Sequence, residues 1–189
     1  MIKFTTLLSV IFLFYSNTLF ANITNKIVKK LSNTDNIYFN FEQITSKQIE
    51  TGKCLIVFPG KLKCKYDGNE NKEILIKKNS LYIIKHKFKR SYRYSTKKSV
   101  FNIILDKSKL LENIKLTDKS KIYETENQYS YELNSDNGNF IKIFFNKTDK
   151  KLKGWETISY NQEIVIFNIL DSKTNIKFDE NFALPNYKF

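Results

Sequence analysis

The stretch from Gly52 to Tyr66, GKCLIVFPGKLKCKY, contains the pattern that decides the fold class. An apolar run lies before Pro59-Gly60, and Lys61–Tyr66 after it alternates polar and apolar residues. A period of two is typical of a half-buried β-strand, and a Pro-Gly pair is typical of a tight turn. The stretch therefore predicts a β-hairpin. Both cysteines of the chain, Cys54 and Cys64, lie on its two sides.

Strand patterns continue through most of the chain. Before the hairpin, Tyr38–Ile44 alternates imperfectly. After it, the candidate strands are Glu73–Lys77, Leu81–Lys85, Ser91–Ser95, Lys121–Glu126, Tyr129–Asn134, Phe140–Asn146, Leu152–Tyr160 and Glu163–Leu170. The turn signals between strands include Asp67-Gly68, Asp136-Asn137-Gly138 and Asn161-Gln162. Short strands joined by tight turns predict a mainly β, antiparallel meander that curls into a barrel or half-barrel.

Apolar residues near the N-terminus have a helical spacing instead. They predict an amphipathic helix of about three turns, and they are Ile23, Ile27, Val28 and Leu31. A fully solvated helix does not need an apolar face. The apolar face of this helix must therefore pack on another part of the chain.

A second helical pattern interrupts the strands in mid-chain. Ser99–Leu105 (SVFNIIL) predicts a helix with Ser99 as its capping residue. One face of it carries Phe101, Ile104 and Leu105, and after Asp106 the pattern continues with Leu110, Leu111 and Ile114. The sequence leaves two arrangements open. The helices either plug the core of the barrel or form a lid over a cavity.

The N-terminus has the pattern of an export signal. Lys3 provides a positive charge, Leu7–Tyr15 is an apolar run too short to span a bilayer, and Leu19-Phe20-Ala21 ends in a small residue. We expect residues 1–21 to be a cleavable signal peptide and residues 22–189 to be a single domain. A retained membrane anchor is the alternative, and the polar Ser16-Asn17-Thr18 argues against it.

The net charge of +13 is spread along the chain. Such a spread of charge is usually a solvated face, and the export signal together with the lack of a nucleic-acid-binding motif argues against a nucleic-acid partner. The charge fits weak, transient attraction to anionic membrane surfaces or acidic partners. A coding bias towards Lys, Asn and Ile is the alternative explanation.

The residues that most enzymes need are scarce. His86 is the only histidine, and it lies between two lysines at a predicted strand end or turn. This position favours a solvated role over a catalytic one. Two cysteines and one histidine without clustered carboxylates do not make a standard zinc site. Five glycines form no phosphate-binding loop. We therefore expect neither an enzyme nor a bound cofactor or metal.

The chain is instead rich in bulky aromatic residues. The chain has sixteen Phe and eleven Tyr. The candidate inward-facing residues are Leu62, Cys64, Tyr66, Tyr92, Tyr94, Tyr129, Tyr131, Leu133 and Trp155. Such stripes are usually ordinary core. In a curled sheet they can also line an open concave face.

Several strings carry a family resemblance through their order along the chain: Phe39–Gln43 (FNFEQ), Gly52–Tyr66, Ile74–Ile83, Phe101–Asp106, Phe140–Leu170 and Ile176–Phe178. In this order, after a signal peptide without a lipidation cysteine, the chain resembles the LolA-type periplasmic carriers of outer-membrane lipoproteins. The resemblance implies a mainly β (α+β) fold, namely an unclosed antiparallel half-barrel with an α-helical lid over an apolar cavity.

The resemblance also implies a function. Carriers of this type accept the acyl chains of lipoproteins from an inner-membrane ABC-type exporter and pass them to an outer-membrane receptor. It implies a monomeric periplasmic protein whose partners are acylated lipoproteins, the exporter and the receptor. The alternative is a periplasmic lipid-binding or envelope-sensing module of the same fold without a transport role.

By the same resemblance, the lipid-binding residues of the cavity and lid are Phe58, Leu62, Tyr66, Tyr92, Tyr94, Phe101, Ile104, Leu105 and Trp155. The chain departs from the family at Phe58, where the family has an arginine thought to hold the lid shut through hydrogen bonds to backbone. Because Phe58 cannot donate, the sequence predicts an apolar closure against Phe101, Ile104 or the first helix. The family's aromatic residue on the next strand is replaced by Cys64.

The length of the turn decides whether the cysteines meet. A three-residue connection over Phe58-Pro59-Gly60 places Ile56 opposite Leu62 and Cys54 directly opposite Cys64, whereas a two-residue turn leaves the sulfurs diagonal. Directly opposed residues are close enough for a disulfide, which an oxidising periplasm favours. Two free buried thiols are the alternative.

Overall fold

The computed structural model describes residues 21–97, 99–134, 140–159 and 161–187. Residues 1–20 of the predicted signal peptide and the predicted turn at Asp136-Asn137-Gly138 lie outside the described residues. In the part that is described, a single antiparallel sheet carries three helices.

The eleven strands are β1 (Asn36–Ile44), β2 (Ile49–Val57), β3 (Lys61–Tyr66), β4 (Lys72–Lys77), β5 (Ser80–Lys85), β6 (Arg90–Ser95), β7 (Ile122–Glu124), β8 (Gln128–Asn134), β9 (Phe140–Asn146), β10 (Leu152–Ile158) and β11 (Ile164–Thr174). The helices are α1 (residues 21–32), α2 (Phe101–Ile104) and α3 (Lys107–Leu116). Short 3-10 turns lie at His86–Phe88 and Lys119–Lys121.

The sheet is open. Its strand order is β6-β5-β4-β3-β2-β1-β11-β10-β9-β8-β7, so that β6 and β7 are its two edges. The chain runs as one meander on each side of the β1–β11 pair, which joins the two halves of the sheet. The predicted unclosed antiparallel half-barrel is confirmed.

The predicted hairpin register is also confirmed. Ile56 pairs with Leu62 and Cys54 with Cys64, as the three-residue connection requires. The predicted strands agree with the observed ones to within a few residues at most ends. The main difference is β11, which continues to Thr174 because its second half pairs with the start of β1.

Helix α1 lies on the concave side of the sheet. Ile23, Ile27 and Leu31 recur at intervals of four and are buried, with exposures of 7%, 0% and 3%. The hydroxyl groups of Thr24 and Tyr131 are 3.0 Å apart, which ties the helix to β8. The predicted N-terminal amphipathic helix is confirmed.

Helices α2 and α3, here called the lid helices, form the predicted mid-chain helical insert. Ile104, Leu110 and Ile114 are buried in the same core as the concave sheet residues. Asp106 caps α3, since its carboxylate accepts a hydrogen bond from the backbone N–H of Lys109 at 3.1 Å. The predicted cap of α2 is wrong, because the Ser99 hydroxyl donates to the Thr96 carbonyl at 2.9 Å and leaves α2 without a side-chain cap.

The C-terminal residues 175–187, here called the strap, cross the convex side. The strap is anchored where the backbone N–H of Ile176 donates to the Asn36 side chain at 3.0 Å. Further along, Phe182, Leu184 and Tyr187 pack against a second apolar cluster formed by Leu75, Tyr82 and Ile84. Both faces of the β3–β5 region are therefore covered.

Within the described residues, none of the helices combines the length and the apolar character that a membrane crossing requires.

Candidate functional site

A row of four aromatic side chains, here called the aromatic row, crosses the concave face. Trp155 stacks on Phe167 with ring centroids 4.3 Å apart, and Phe167 stacks on Phe41 at 4.8 Å. Phe41 meets Tyr66 edge to face, also at 4.8 Å. All four are buried. The row joins strands β10, β11, β1 and β3 into one continuous apolar floor.

Gly52 makes this continuity possible. It lies on β2 between Phe41 and Tyr66, and it pairs with both. A Cβ at this position would be 2.8 Å from Cε1 of Phe41 and 2.2 Å from the carbonyl oxygen of Lys65. The absence of a side chain therefore allows the two rings to meet across the strand.

Polar groups close the Tyr66 end of the row. The Tyr66 hydroxyl donates to Oε1 of Gln43 at 2.8 Å. Lys72 forms an ion pair with Glu50, and its ammonium lies 3.8 Å from the centroid of the Tyr66 ring. Burial, together with the negative charge of Glu50, raises the pKa of Tyr66 well above its ordinary value. Tyr66 therefore remains a neutral hydrogen-bond donor at physiological pH.

The three helices fill the concave face in this structure. Ile27, Ile104, Leu110 and Ile114 are each at most 1% exposed, and they share one apolar cluster with the aromatic row. The sequence leaves open whether the helices plug the core or form a lid over a cavity. In the structure they lie in direct contact with the sheet, which corresponds to the plug.

Two sets of contacts, here called the latch, tie the lid helices to the rest of the molecule. The first is a backbone hydrogen bond, in which the N–H of Gly60 in the β2–β3 turn donates to the carbonyl of Leu105 at 2.8 Å. The second centres on Lys107. Its ammonium donates to the carbonyl of Ser32 at 3.2 Å, lies 3.2 Å from the carboxylate of Asp35, and is 5.6 Å from the centroid of the Phe58 ring.

The position of Lys107 in the sequence has an electrostatic cost, which its contacts in the latch offset. Lys107 is the first residue of α3, where a cation opposes the helix macrodipole. Its ammonium accordingly reaches back to the carbonyl of Ser32 near the C-terminal end of α1, where a cation is favourable. One lysine thus joins α1, the β2–β3 turn and the lid.

A cleft of about 780 Å³ opens beside the lid, between the turns β2–β3 and β4–β5 and the strap. Its apolar lining includes Pro59, Ile76, Phe101, Leu105 and Phe182. Its volume is in the range of about 300 to 1,000 Å³ that ligand pockets occupy. It is an opening between the solvent and the edge of the lid.

Most of the predicted lipid-binding residues come together. Leu62, Tyr66, Ile104, Leu105 and Trp155 are buried in the concave core, and Phe58 and Phe101 pack against it half-buried. Their role in lipid binding stays a prediction.

Tyr92 and Tyr94 lie apart from that group. Through the pairs Ile83–Tyr92 and Leu81–Tyr94 they are on the concave side of β6. They are nevertheless 41% and 53% exposed, because β6 is an edge strand that the helices do not cover.

Sequence reasoning missed several residues of this site. Phe41 and Phe167 belong to the aromatic row, and the alternation within FNFEQ could have identified Phe41. The contacts of Lys107 and Asp35 had no signal in the sequence, because they join segments 72 residues apart.

The two cysteines and the histidine each contact other side chains of the domain. Cys54 and Cys64 form a disulfide bond, and both are buried. His86 lies in the 3-10 turn after β5, where its Nδ1 is 3.1 Å from the Tyr187 hydroxyl and its Nε2 is 3.5 Å from the Glu73 carboxylate. The predicted turn position of His86 is confirmed.

Comparison with solved structures finds folds that are similar at low sequence identity. A LolA superfamily protein from Nitrosomonas europaea is 10% identical, with a TM-score of 0.44 over 87% of this chain and 97% of that one. LprF from Mycobacterium bovis is 11% identical, with a TM-score of 0.48 over 88% and 98%. The MucA/MucB complex of Pseudomonas aeruginosa contains a chain that is 6% identical, with a TM-score of 0.45 over 88% and 61%.

Sequence comparison is more specific. The curated proteins contain no match. The sequence model of one family, described as outer membrane lipoprotein carrier protein LolA, matches residues 32–183. This range includes the whole sheet, the lid helices and most of the strap. The protein therefore belongs to the LolA family of outer membrane lipoprotein carriers.

Proposed function

We propose that this protein carries acylated lipoproteins through the periplasm, taking them from an inner-membrane ABC-type exporter and passing them to an outer-membrane receptor. Family membership supports the carrier role. The observation that carries the proposal is the way the concave face is covered. Helices cover it by packing apolar side chains on the sheet, and the polar contacts of the latch hold the lid helices at one end.

The proposed binding site lies between the aromatic row and the lid helices. Acyl chains would replace the helix side chains that now pack there, with Leu62, Tyr66 and Trp155 on the sheet side and Phe101, Ile104 and Leu105 on the lid side. Phe58 lies in the latch, at the β2–β3 turn. Each buried methylene group contributes about 0.8 kcal/mol, so a long acyl chain can displace the lid contacts.

The cleft beside the lid supports this proposal as an entry route. Phe101 and Leu105 line it, and both belong to the lid segment. An acyl chain in the cleft would contact the lid before the lid moves.

The proposal includes the compartment and the state of the protein. Residues 1–21 direct export and are removed, and the monomer acts in the periplasm by binding, without a catalytic step or a nucleic-acid partner. The disulfide between Cys54 and Cys64 supports an oxidising compartment.

A binding experiment with one matched pair of variants tests the site. Native mass spectrometry would measure the binding of a synthetic triacylated lipopeptide to the wild type, Phe101→Glu and Leu116→Glu. Phe101 is half-buried at the cleft, whereas Leu116 is 76% exposed at the end of α3. We expect Phe101→Glu to weaken binding at least tenfold, because a charge beside the acyl chain loses hydration, and Leu116→Glu to leave it unchanged. Equal effects would refute the site.

A cellular experiment separates carriage from lipid sensing. Depletion of a carrier leaves lipoproteins in the inner membrane, and fractionation of envelope membranes measures this directly. If depletion leaves lipoprotein sorting intact while lipopeptide binding persists in vitro, the protein is instead a lipid-binding or envelope-sensing module.

A further inference from the structure

Cations occur along the whole chain, but the excess of cations over carboxylates is concentrated at one edge of the sheet. From Ile74 to Leu105 the sequence has nine Lys or Arg residues and no Asp or Glu. This segment contains most of β4, all of β5 and β6, and helix α2. Its charge of +9 accounts for most of the net charge of +13 of the whole chain.

Exposed aromatic residues lie in the same place. Phe88, in the 3-10 turn at the tip of the β5–β6 hairpin, is 50% exposed, and Tyr92 and Tyr94 follow it along the edge strand. The ammonium groups of Lys85 and Lys87 lie 6.0 Å and 5.8 Å from the centroid of the Phe88 ring. Residues 85–90 with Tyr92 and Tyr94 are here called the basic aromatic edge.

Acidic side chains neutralise only a small part of this edge. Glu70 pairs with Lys85 at 2.8 Å, and the buried Glu73 faces His86. Among the residues that the structure describes, no carboxylate comes within ion-pair distance of Lys87, Lys89 or Arg90. All three are exposed. Within the described residues, the tip of the hairpin therefore presents three exposed cations without an ion-pair partner around one exposed phenyl ring.

We propose that the basic aromatic edge docks the protein on the surface of an anionic phospholipid bilayer. Phe88 would enter the interfacial region, the two tyrosines would lie at headgroup level, and the cations of the tip would face the lipid phosphates. Aromatic side chains favour the membrane interface, and each Lys or Arg near an anionic leaflet adds attraction. Docking needs no lipoprotein, so it goes beyond the proposed carrier function.

The arrangement favours a bilayer over a soluble polyanion. A polyanion would be bound by cations lining a groove, often with bases stacked on aromatic rings. Here a single phenyl ring projects at the apex of a hairpin with cations on each side of it in sequence, an amphipathic tip that suits the boundary between headgroups and acyl chains.

Docking at this place also has a geometric consequence. Strand β6 is one edge of the open sheet, and its tyrosines are on the concave side. A membrane bound there would lie beside the unclosed side of the half-barrel, where lipid-attached cargo would enter or leave.

Vesicle flotation without any lipoprotein tests this inference. The probes are vesicles of phosphatidylglycerol mixed with phosphatidylcholine, and vesicles of phosphatidylcholine alone. The variants are K87Q/K89Q/R90Q in the basic aromatic edge and K26Q/K29Q/K30Q on α1, where all three lysines are exposed. Both triple variants lose three positive charges, and every arm uses the same form of the chain, so a contribution from residues 1–21 cancels.

We expect the wild type to bind the anionic vesicles and not the neutral ones. The K87Q/K89Q/R90Q variant should bind about ten- to a hundredfold more weakly, and the K26Q/K29Q/K30Q variant should bind like the wild type. In a Phe88→Trp variant, quenching of fluorescence by brominated lipid, beyond that of wild-type Trp155, should place residue 88 in the interface.

Three results would overturn the inference. They are an equal loss in both triple variants, no quenching at residue 88, or a single-stranded oligonucleotide that binds the same residues as tightly as the vesicles do. Because the probes contain no lipoprotein, a failed carrier function would leave this result unaffected, and the reverse also holds.

Discussion

The ammonium of Lys107 lies 5.6 Å from the centroid of the Phe58 ring, which places the cation of the latch on the lid. In the family pattern the polar group belongs to the β2–β3 turn, at the position of Phe58. Here the turn supplies the aromatic ring and the backbone N–H of Gly60, and the lid supplies the cation. The sequence predicted a closure that is purely apolar, and the structure adds Lys107.

Removal of this cation should loosen the lid. Lys107→Met keeps the length of the side chain but loses the contacts with Ser32, Asp35 and Phe58. Because Asp35 is largely exposed, its ion pair adds little, and we expect the closed state to lose about 1 to 2 kcal/mol in total. Hydrogen exchange should then become about five- to thirtyfold faster at the backbone amides of Ile104 and Leu105.

The matched control is Lys115→Met, an exposed lysine on the same helix that lies away from the latch. It should leave the exchange of Ile104 and Leu105 unchanged. Equal exchange rates in Lys107→Met and the wild type would mean that Lys107 does not hold the lid.

Loss of the disulfide should destabilise the whole domain. The bond closes a loop with a sequence separation of 10, and the chain-entropy relation gives roughly 2 to 3 kcal/mol for a loop of this size. Denaturant unfolding of C54S/C64S should show this decrease. Reduction of the wild type with a thiol should give a similar decrease, and reduction of C54S/C64S should give none. A double variant as stable as the wild type would contradict the prediction.

Gly52→Ala should be among the most damaging single substitutions in the sheet. The added methyl group meets the Lys65 carbonyl and the Phe41 ring, and the backbone of β3 must shift to admit it. Overpacking of this kind costs about 1 to 3 kcal/mol, and denaturant unfolding measures it. Lys53→Ala, at the next, exposed position of β2, should cost less than about 0.5 kcal/mol. Similar midpoints for the two variants would show that Gly52 is not needed for packing.

The contact of the strap with β3 should weaken in acid. Burial alone would raise the pKa of Glu180. Hydrogen bonds from Lys63 and Lys65 and their positive charges outweigh this effect and lower the pKa. The lowered pKa means that Glu180 stabilises the strap above its ordinary pKa of 4.5, and that this contribution is lost as the pH falls through the folded value.

The NMR signals of the strap amides, followed from neutral to acidic pH, would check this. Glu180→Gln should weaken the strap already at neutral pH and remove this part of the acid transition. Asp179→Asn, at the exposed neighbouring position, should behave like the wild type. A transition that Glu180→Gln leaves intact would assign the pH dependence to another group.

The sequence was sufficient for most of the sheet. Alternation located nearly every strand, and the spacing around Phe58-Pro59-Gly60 gave the register that opposes Cys54 to Cys64. These features are local, since a turn of known length fixes which residues face each other. The helices were predicted for the same reason, because the spacing of Ile23, Ile27 and Leu31 is a local pattern.

Non-local features could not be predicted in this way. Alternation assigned Tyr92 and Tyr94 to the concave side but did not indicate that the helices leave this side of β6 uncovered. The strap packs on Leu75, Tyr82 and Ile84, which are distant in sequence, so no periodic pattern identifies their partner. Lys107 resembles any other surface lysine until the fold brings Asp35 and Phe58 to it.

The side chains of Ile104, Leu110 and Ile114 occupy the concave face where, under the proposed function, acyl chains would lie. The empty protein therefore contains an internal competitor for its own site. Its apparent affinity for cargo equals the affinity of the open form multiplied by the fraction of molecules that are open. Each kcal/mol that favours closure weakens cargo binding by about fivefold. The periplasm has no energy source for the release of cargo. Under the proposed function, the strength of the latch at Gly60 and Lys107 would thus set how readily the carrier releases its cargo.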